Sequence, residues 1–293
     1  MFRFVLANMQ KRQRLFFFIF FTLSLSMKNL FTTLVLTASL AGAATTARAQ
    51  SSISFAPRLG LNVTTFSYEY GDIPLGLTNE ANSTAGVQVG GTLNVGFGKF
   101  AFQPSLLYSQ KGAELKFSAV DNTEVPYTTT VTYTAKPKLS YLEVPLNLVY
   151  TTGTDHGFQF FAGPYVAFGV GGSGSSTLAI KSDDPNVIAS GAVSSFPISL
   201  AIEYGDRQNA NSELEDSLNG GLASTPKVVA TFRRFDAGLN AGLGYRVGPY
   251  QAQIGYGLGL VNLAPNDPDG VDTGGKIYNR GFQLSANYFF GSK

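Results

Sequence analysis

Cysteine and histidine, two side chains that often serve in nucleophilic and metal chemistry, are absent or nearly absent from this sequence. The chain contains no cysteine and a single histidine, His156, in the stretch "TGTDHG". A thiolate nucleophile, a disulfide and a zinc–thiolate site are therefore excluded, and a catalytic triad would have to use that one imidazole.

The stretch "FDAGLNAGLGYRVGPYQAQIGYGLGL", residues 235–260, is rich enough in glycine to raise the question of phosphate binding. A phosphate-binding loop gathers its glycines between a strand and a helix. Here the glycines recur at every second or fourth position with apolar residues between them, which is strand spacing. We interpret the stretch as two strands joined by Gly248-Pro249, and we expect no cofactor.

The acidic stretch "NDPDGVD", residues 266–272, loosely resembles a calcium-binding loop. It spaces Asp267, Asp269 and Asp272 around Gly270. A calcium loop needs more ligands and a closing glutamate, both of which are missing. The pattern favours a plain turn over a metal site, and we expect no bound metal.

Residues 1–49 have the character of a targeting segment. From Met27, one lysine precedes an apolar run over residues 30–40, and Ala47-Arg48-Ala49 forms a small-x-small cleavage pattern. This predicts a signal peptide over residues 27–49, cut after Ala49, with translation starting at Met27. The upstream apolar run, residues 15–25, is short for a membrane span. A genuine N-terminal anchor that starts at Met1 is the alternative.

The targeting segment also accounts for the basic character of the chain. Of 21 lysines and arginines, six lie in residues 1–49, which contain no acid. The predicted mature part, residues 50–293, therefore has 15 basic against 19 acidic residues, a net charge of −4. Nucleic acid is not an expected partner.

Alternation of apolar and polar residues dominates the predicted mature part. In residues 235–247 every odd-numbered residue is apolar, and every even-numbered one is glycine, polar or charged. A period of two is typical of strands with two different faces. The same pattern predicts eight strands, over residues 55–63, 87–97, 100–108, 142–150, 158–168, 235–247, 250–260 and 282–290.

The links between these strands alternate in length. Short links are expected at residues 98–99, about 151–157 and 248–249, and long polar links at about 69–84, 119–131, 171–228 and 264–276. Weak helical periodicity occurs only at residues 211–221. Short turns at one rim and long loops at the other are the layout of an outer-membrane barrel.

We therefore predict an all-β fold, an eight-stranded antiparallel up-and-down transmembrane β-barrel. The polar face carries few charges, which suits a narrow interior, and a closed barrel leaves no unpaired edge in lipid. Aromatic residues on the apolar parity cluster beside the short turns and predict a girdle at one interface: Phe97, Phe100, Tyr150, Phe158, Tyr245, Tyr250, Tyr288 and Phe290. A soluble, lipocalin-like barrel is the rival interpretation.

Four stretches resemble the PorT-like outer-membrane β-barrel family of Bacteroidetes-type bacteria: "PRLGLNVTTF" (57–66), "YLEVPLNLVY" (141–150), "FAGPYVAFGVG" (161–171) and "RRFDAGLNAGLGYRVG" (233–248). The second is the most specific. The resemblance spans nearly the whole mature chain and implies an eight-stranded barrel in the outer membrane of a Gram-negative cell, with both termini in the periplasm. It also implies a role in a secretion assembly.

The parity of the predicted strands directs five charged residues into the interior: Arg58, Lys111, Glu143, Asp236 and Arg246. An eight-stranded barrel is just filled by its side chains. We expect the two acids to pair with Arg58, Arg246 or Lys111 in a buried ionic network that plugs the barrel. A gated or ligand-binding polar channel is the alternative.

The expected function is that of a non-enzymatic outer-membrane protein, structural or acting as a binding platform through its long outer loops. A part in a secretion or transport assembly and a small-solute channel are the alternatives. No catalytic residue is expected, because His156 falls at the periplasmic side. The expected partners are outer-membrane lipid, the barrel-assembly machinery and an unidentified outer or secretion-assembly partner.

Overall fold

The computed structural model describes residues 52–69, 77–121, 126–153, 156–191, 193–208 and 227–291. It contains ten strands and one short helix: β1 (Ser52–Glu69), β2 (Leu77–Phe97), β3 (Phe100–Asp121), β4 (Thr129–Thr151), β5 (His156–Ser182), α1 (Pro185–Ala189), β6 (Ser195–Tyr204), β7 (Lys227–Phe232), β8 (Phe235–Val247), β9 (Tyr250–Gly259) and β10 (Lys276–Tyr288). The all-β prediction is confirmed. Residues 1–49, which include the predicted signal peptide, lie outside the described residues.

Eight of the strands form a closed ring of antiparallel neighbours. Each strand from β1 to β5 pairs with the next, β5 pairs with β8, and β8, β9 and β10 follow in order. The ring closes where β1 pairs with β10, with Arg58 opposite Asn287 and Glu69 opposite Lys276. Closure gives every ring strand two hydrogen-bonded neighbours and leaves no open edge.

The ring is turned inside out relative to a water-soluble protein. The buried, inward-facing side chains of β1 to β3 are largely polar, among them Asn62, Gln88 and Ser109. The alternate, outward-facing positions carry large apolar residues that are exposed, such as Leu59 and Leu106, at 66% and 60%. This arrangement follows from the period-two pattern, because successive side chains of a strand point to opposite faces.

Two tight turns connect strands at one end of the ring. Gly98 begins the turn between β2 and β3, with φ of 67°, and Gly248 begins the turn between β8 and β9, with φ of 54°. A positive φ at the first central residue is typical of type II′ hairpins and favours glycine there. Ser52 and Tyr288 lie at this same end, since they pair beside the two turns.

All eight predicted strands overlap strands of the ring, but most of those strands are longer than predicted. Most of the additional strand residues lie at the end opposite the tight turns, where β5, for example, continues to Ser182. The apolar outer band ends earlier than the strands. Register shifts occur between Ser83 and Gln88 in β2 and between Ser140 and Tyr141 in β4, near the border of that band.

The prediction of a loop over residues 171–228 is wrong in part. Besides the end of β5, this segment contains α1, β6 and the start of β7. Strand β6 extends the sheet from the end of β5, and β7 pairs with β6 in parallel. The helical periodicity at residues 211–221 lies outside the described residues. Within the part of the chain that the structure describes, no helix is long and apolar enough to cross a membrane.

Candidate functional site: the filled interior and its cap

A buried lysine between two buried carboxylates occupies the middle of the ring. Lys111 on β3 places its Nζ 2.9 Å from Glu143 Oε2 on β4 and 3.4 Å from Asp236 Oδ2 on β8. All three side chains are at most 4% exposed. The contact with Glu143 is a buried ion pair, and Lys111 also donates a hydrogen bond to Asp236. The network therefore bridges strands on different sides of the ring.

Asp236 has further donors around it. Asn279 on β10 donates to Asp236 Oδ2 at 2.8 Å, and the Tyr165 hydroxyl on β5 lies 3.3 Å from the same oxygen. The Tyr165 ring centroid also lies 4.1 Å from Lys111 Nζ, in cation–π geometry. Buried charges persist only when they are paired and hydrogen-bonded, and Asp236 meets that condition with three donors.

The two predicted interior arginines occupy different places. Arg58 is buried at 3% exposure, donates to Gln88 Oε1 at 3.2 Å, and experiences the charge of Glu143. Arg246 lies ten residues beyond Asp236 on β8, roughly 33 Å along the strand. It donates to the Gly248 carbonyl and its guanidinium carbon lies 4.8 Å from the Phe289 ring. The structure thus brings four of the five predicted residues together and leaves Arg246 at the tight-turn end.

A layer of amide side chains fills the ring on the tight-turn side of the ionic cluster. Gln251 on β9 donates to Gln159 on β5 at 2.7 Å and accepts from Asn287 on β10 at 2.9 Å. Gln103 on β3 donates to Asn94 on β2 at 2.8 Å. Gln251 also donates to Gln103 at 3.3 Å, and because β9 and β3 lie on opposite sides of the ring, this bond ties opposite walls together across the interior.

The interior on the other side of the ionic cluster is apolar. Its buried members come from six strands and the link before β10, namely Phe66, Ala113, Leu115, Ala135, Leu139, Tyr141, Tyr165, Ala167, Leu200, Phe232 and Leu263. The Phe232 ring on β7 lies 5.7 Å from the Phe66 ring on β1. Since β7 is attached through β6 to β5, and β1 and β5 are four places apart in the eight-membered ring, this contact spans the mouth.

Strands β6 and β7 therefore form a cap over this end of the ring, together with residues 260–266. Beyond β7, the Arg233 amide donates to the Leu263 carbonyl, and the Leu263 amide donates to the Ile277 carbonyl of β10, both at 2.9 Å. Hydrogen bonds thus run from β5 across β6, β7 and Leu263 to β10. The cap closes the mouth with backbone as well as with side chains.

Sequence reasoning missed the interior aromatics. Phe161, Tyr165 and Tyr141 lie on the inward parity, where the pattern predicts polar or small residues. The sequence feature that could have identified them is an aromatic residue at a position where the alternation predicts a polar or small one. The glycines of β8 and β9 make room for them: a Cβ on Gly255 would lie 2.6 Å from the Phe161 ring, and one on Gly238 would lie 2.7 Å from the Tyr165 ring.

The predicted girdle residues lie at the tight-turn end and contact one another in three groups. Ring centroids are 5.1 Å apart for Phe100 and Tyr150, 5.2 Å for Phe158 and Tyr245, and 5.1 Å for Tyr250 and Tyr288. Phe97 stacks on Phe100 at 6.3 Å, and Phe290 lies 4.9 Å from Tyr288. Their rings form an aromatic rim around the outer surface.

The two remaining candidate sites have local roles in the structure. His156 begins β5 at the tight-turn end and is exposed. In the acidic stretch, Asp267 Oδ1 accepts from the Val271 amide at 2.6 Å and Asp272 Oδ1 from the Gly274 amide at 2.9 Å. Nowhere in the described residues do three His, Cys, Asp or Glu side chains lie placed to hold a metal ion.

An apolar outer band, a polar interior on the tight-turn side and ring closure together describe a sheet built to face lipid. The family model described as outer membrane protein beta-barrel domain matches residues 48–264. The chain belongs to this outer-membrane β-barrel family. Its outer apolar band is accordingly the surface that lies in the outer membrane.

Two solved structures are similar to this family member. The first is the NanC porin, at 10% identity and a TM-score of 0.23, over 80% of this chain and 98% of that one. The second is a Pseudomonas aeruginosa FadL homologue, at 9% identity and a TM-score of 0.19, over 83% and 91%. No curated protein matches the chain.

Proposed function

We propose that this protein is a closed eight-stranded transmembrane barrel without enzymatic activity, which carries a binding platform at its long-loop end. The observation that carries this proposal is the cap. Phe232 on β7 reaches Phe66 on the opposite side of the ring, above an interior filled with side chains. A solute channel needs an open lumen, and eight strands leave little space beyond what their own side chains fill.

The orientation follows from the lengths of the links. Short turns face the periplasm in bacterial outer-membrane barrels and longer loops face outward. We place the tight turns, Ser52 and Tyr288 on the periplasmic side, after removal of the signal peptide. The cap and the strand ends beyond the apolar band then project from the cell surface. Surface segments on a rigid scaffold are where binding functions commonly reside.

The test is conductance of the full-length mature protein in planar bilayers. Insertion is checked by heat-modifiable migration on gels, because a folded barrel runs anomalously until boiled. We expect no conductance steps under conditions in which a general porin, reconstituted in the same way, gives them. Reproducible steps from the inserted protein would refute the closed barrel.

A second candidate function is membership of a secretion or transport assembly, which the name of the PorT-like family suggests. The support for it is the motif "YLEVPLNLVY", which resembles the corresponding run of that family. Purification from its native membrane in mild detergent separates the two candidates. Stoichiometric co-purifying subunits would support the assembly, and a lone monomer would support the platform.

A further inference from the structure

A cavity of about 470 Å³ lies at the edge of the cap, between β7 and the segment that links β9 to β10. Leu115, Phe232 and Ala264 form part of its lining and are buried. Ala230 and Ile277 line it as well, and both pack against the apolar cluster of the interior. The deep part of the cavity is thus continuous with the apolar filling of the ring.

Polar groups of the lining lie mainly toward the exposed margin. Gln208, Thr273 and Lys276 line the cavity and are exposed. Lys276 Nζ lies 2.8 Å from Glu69 Oε2 in an ion pair that water reaches from both sides, at 49% and 61% exposure. The cavity therefore combines an apolar base with a hydrated margin that offers a cation, an amide and a hydroxyl.

We propose that this cavity binds a small amphipathic molecule, with an aliphatic chain in the apolar base and an anionic head at the Lys276 margin. The inference rests on the platform proposed above. Pockets that hold small ligands measure roughly 300–1,000 Å³ and are lined mostly by apolar groups with a few polar ones. Apolar surroundings hold water poorly, because a buried water needs two or more polar partners.

The geometry also fixes how the ligand enters. The cavity belongs to the cap, beyond the outer apolar band, so the aqueous side supplies the ligand. The exposed ion pair of Lys276 and Glu69 is weak, since solvent screens exposed pairs. A carboxylate head can therefore share Lys276 without the cost of breaking a buried contact.

Saturable photolabelling tests the proposal. The full-length mature protein in lipid nanodiscs is exposed to a decanoate that carries a diazirine near the chain end, irradiated, and mapped by mass spectrometry. We expect labels on residues 229–232, 264–265 and 277 that excess unlabelled decanoate removes. Labels on outward positions of β8, such as Leu239, report probe dissolved in the bilayer and should not saturate.

Two variants locate the site. Ala230→Trp fills the base and should lower the saturable label by about tenfold, as overpacking of a fitted cavity does. Thr273→Trp blocks the margin from an exposed loop position and should lower it as well, which covers the case in which Ala230→Trp does not fold. Ala241→Trp on the outward face of β8 is the matched control and should leave the label unchanged.

Absence of saturable label on these residues would overturn the proposal, whether the cavity is empty or is filled by another part of the chain. So would saturable label that persists in both cavity variants. Neither result bears on conductance, so loss of the ligand site and loss of the closed barrel are separate outcomes. If the protein conducts ions and also shows saturable label, the proposed ligand site would stand and the proposed closed lumen would be refuted.

Discussion

At the scale of single residues, the interior depends on charge balance. Lys111 and Arg58 supply two positive charges and Glu143 and Asp236 two negative ones, all buried. Such a set is costly to desolvate and is stabilising only as a complete network, so removal of one member leaves an uncompensated charge. The contribution of each of these four residues to stability therefore depends on the other three.

Lys111→Met is expected to lower the free energy of unfolding by about 3–5 kcal/mol, because it strands two buried carboxylates. Urea unfolding in liposomes, followed by gel mobility, measures the loss. Lys276→Met breaks only the exposed pair with Glu69, which solvent screens, and should leave the urea midpoint nearly unchanged. Addition of Glu143→Gln and Asp236→Asn to Lys111→Met should restore part of the stability. Equal costs for the two lysine variants would contradict the buried network.

Gly255→Ala tests whether the glycines of β9 exist to admit an interior ring. The added Cβ would lie 2.6 Å from the Phe161 ring, and we expect a loss of about 1–3 kcal/mol. Gly257→Ala on the same strand meets nothing closer than 3.1 Å, at the flexible ends of Asn240 and Gln283, and should cost less. In a Phe161→Ala background the cost of Gly255→Ala should vanish. A cost that stays the same there would point to the backbone instead of the ring.

At the scale of the strand connections, substitutions of Gly98 distinguish the effect of backbone conformation on stability from the effect of packing. Its φ is 67°, and a Cβ there would meet nothing within 4 Å. Gly98→Val should therefore cost about 1–2 kcal/mol for conformational reasons alone, and Gly98→Asn less, because asparagine tolerates this region. Lys99→Ala at the next position is the control. Refolding yield into liposomes and urea midpoints measure the series, and equal midpoints for all three would disprove the turn assignment.

The ring strands could be predicted from the sequence because each presents one continuous apolar face, as in β8, where seven odd-numbered positions are apolar. Strands β6 and β7 were missed for the opposite reason. They belong to the cap and pack by contacts that depend on the closed ring, such as Phe232 against Phe66. No local period records a contact between residues so distant in the chain. Interior ion pairing was predictable by parity, but parity does not give depth along the strand, and Arg246 lies at the end of β8, far from Asp236.

At the scale of the whole molecule, two surfaces with different chemistry share the same strands. The outward side of β4 is apolar from Leu142 to Tyr150 and polar above the register shift at Ser140 and Tyr141. About ten tilted residues suffice to cross the hydrocarbon layer. In the proposed orientation, the remaining length of each long strand carries the cap clear of the bilayer.

A depth series of arginines tests where the membrane ends. Leu146→Arg lies in the middle of the outward apolar part of β4 and should cost about 2–4 kcal/mol, the cost of a lipid-facing arginine near the bilayer midplane. Asn82→Arg lies on the outward face of β2, beyond the register shift and opposite Glu114, and should cost about 0–1 kcal/mol. Both are measured by urea unfolding in liposomes of one lipid composition. If Asn82→Arg cost as much as Leu146→Arg, the bilayer would have to reach the upper strands, and the cap with its cavity would lie in lipid instead of water.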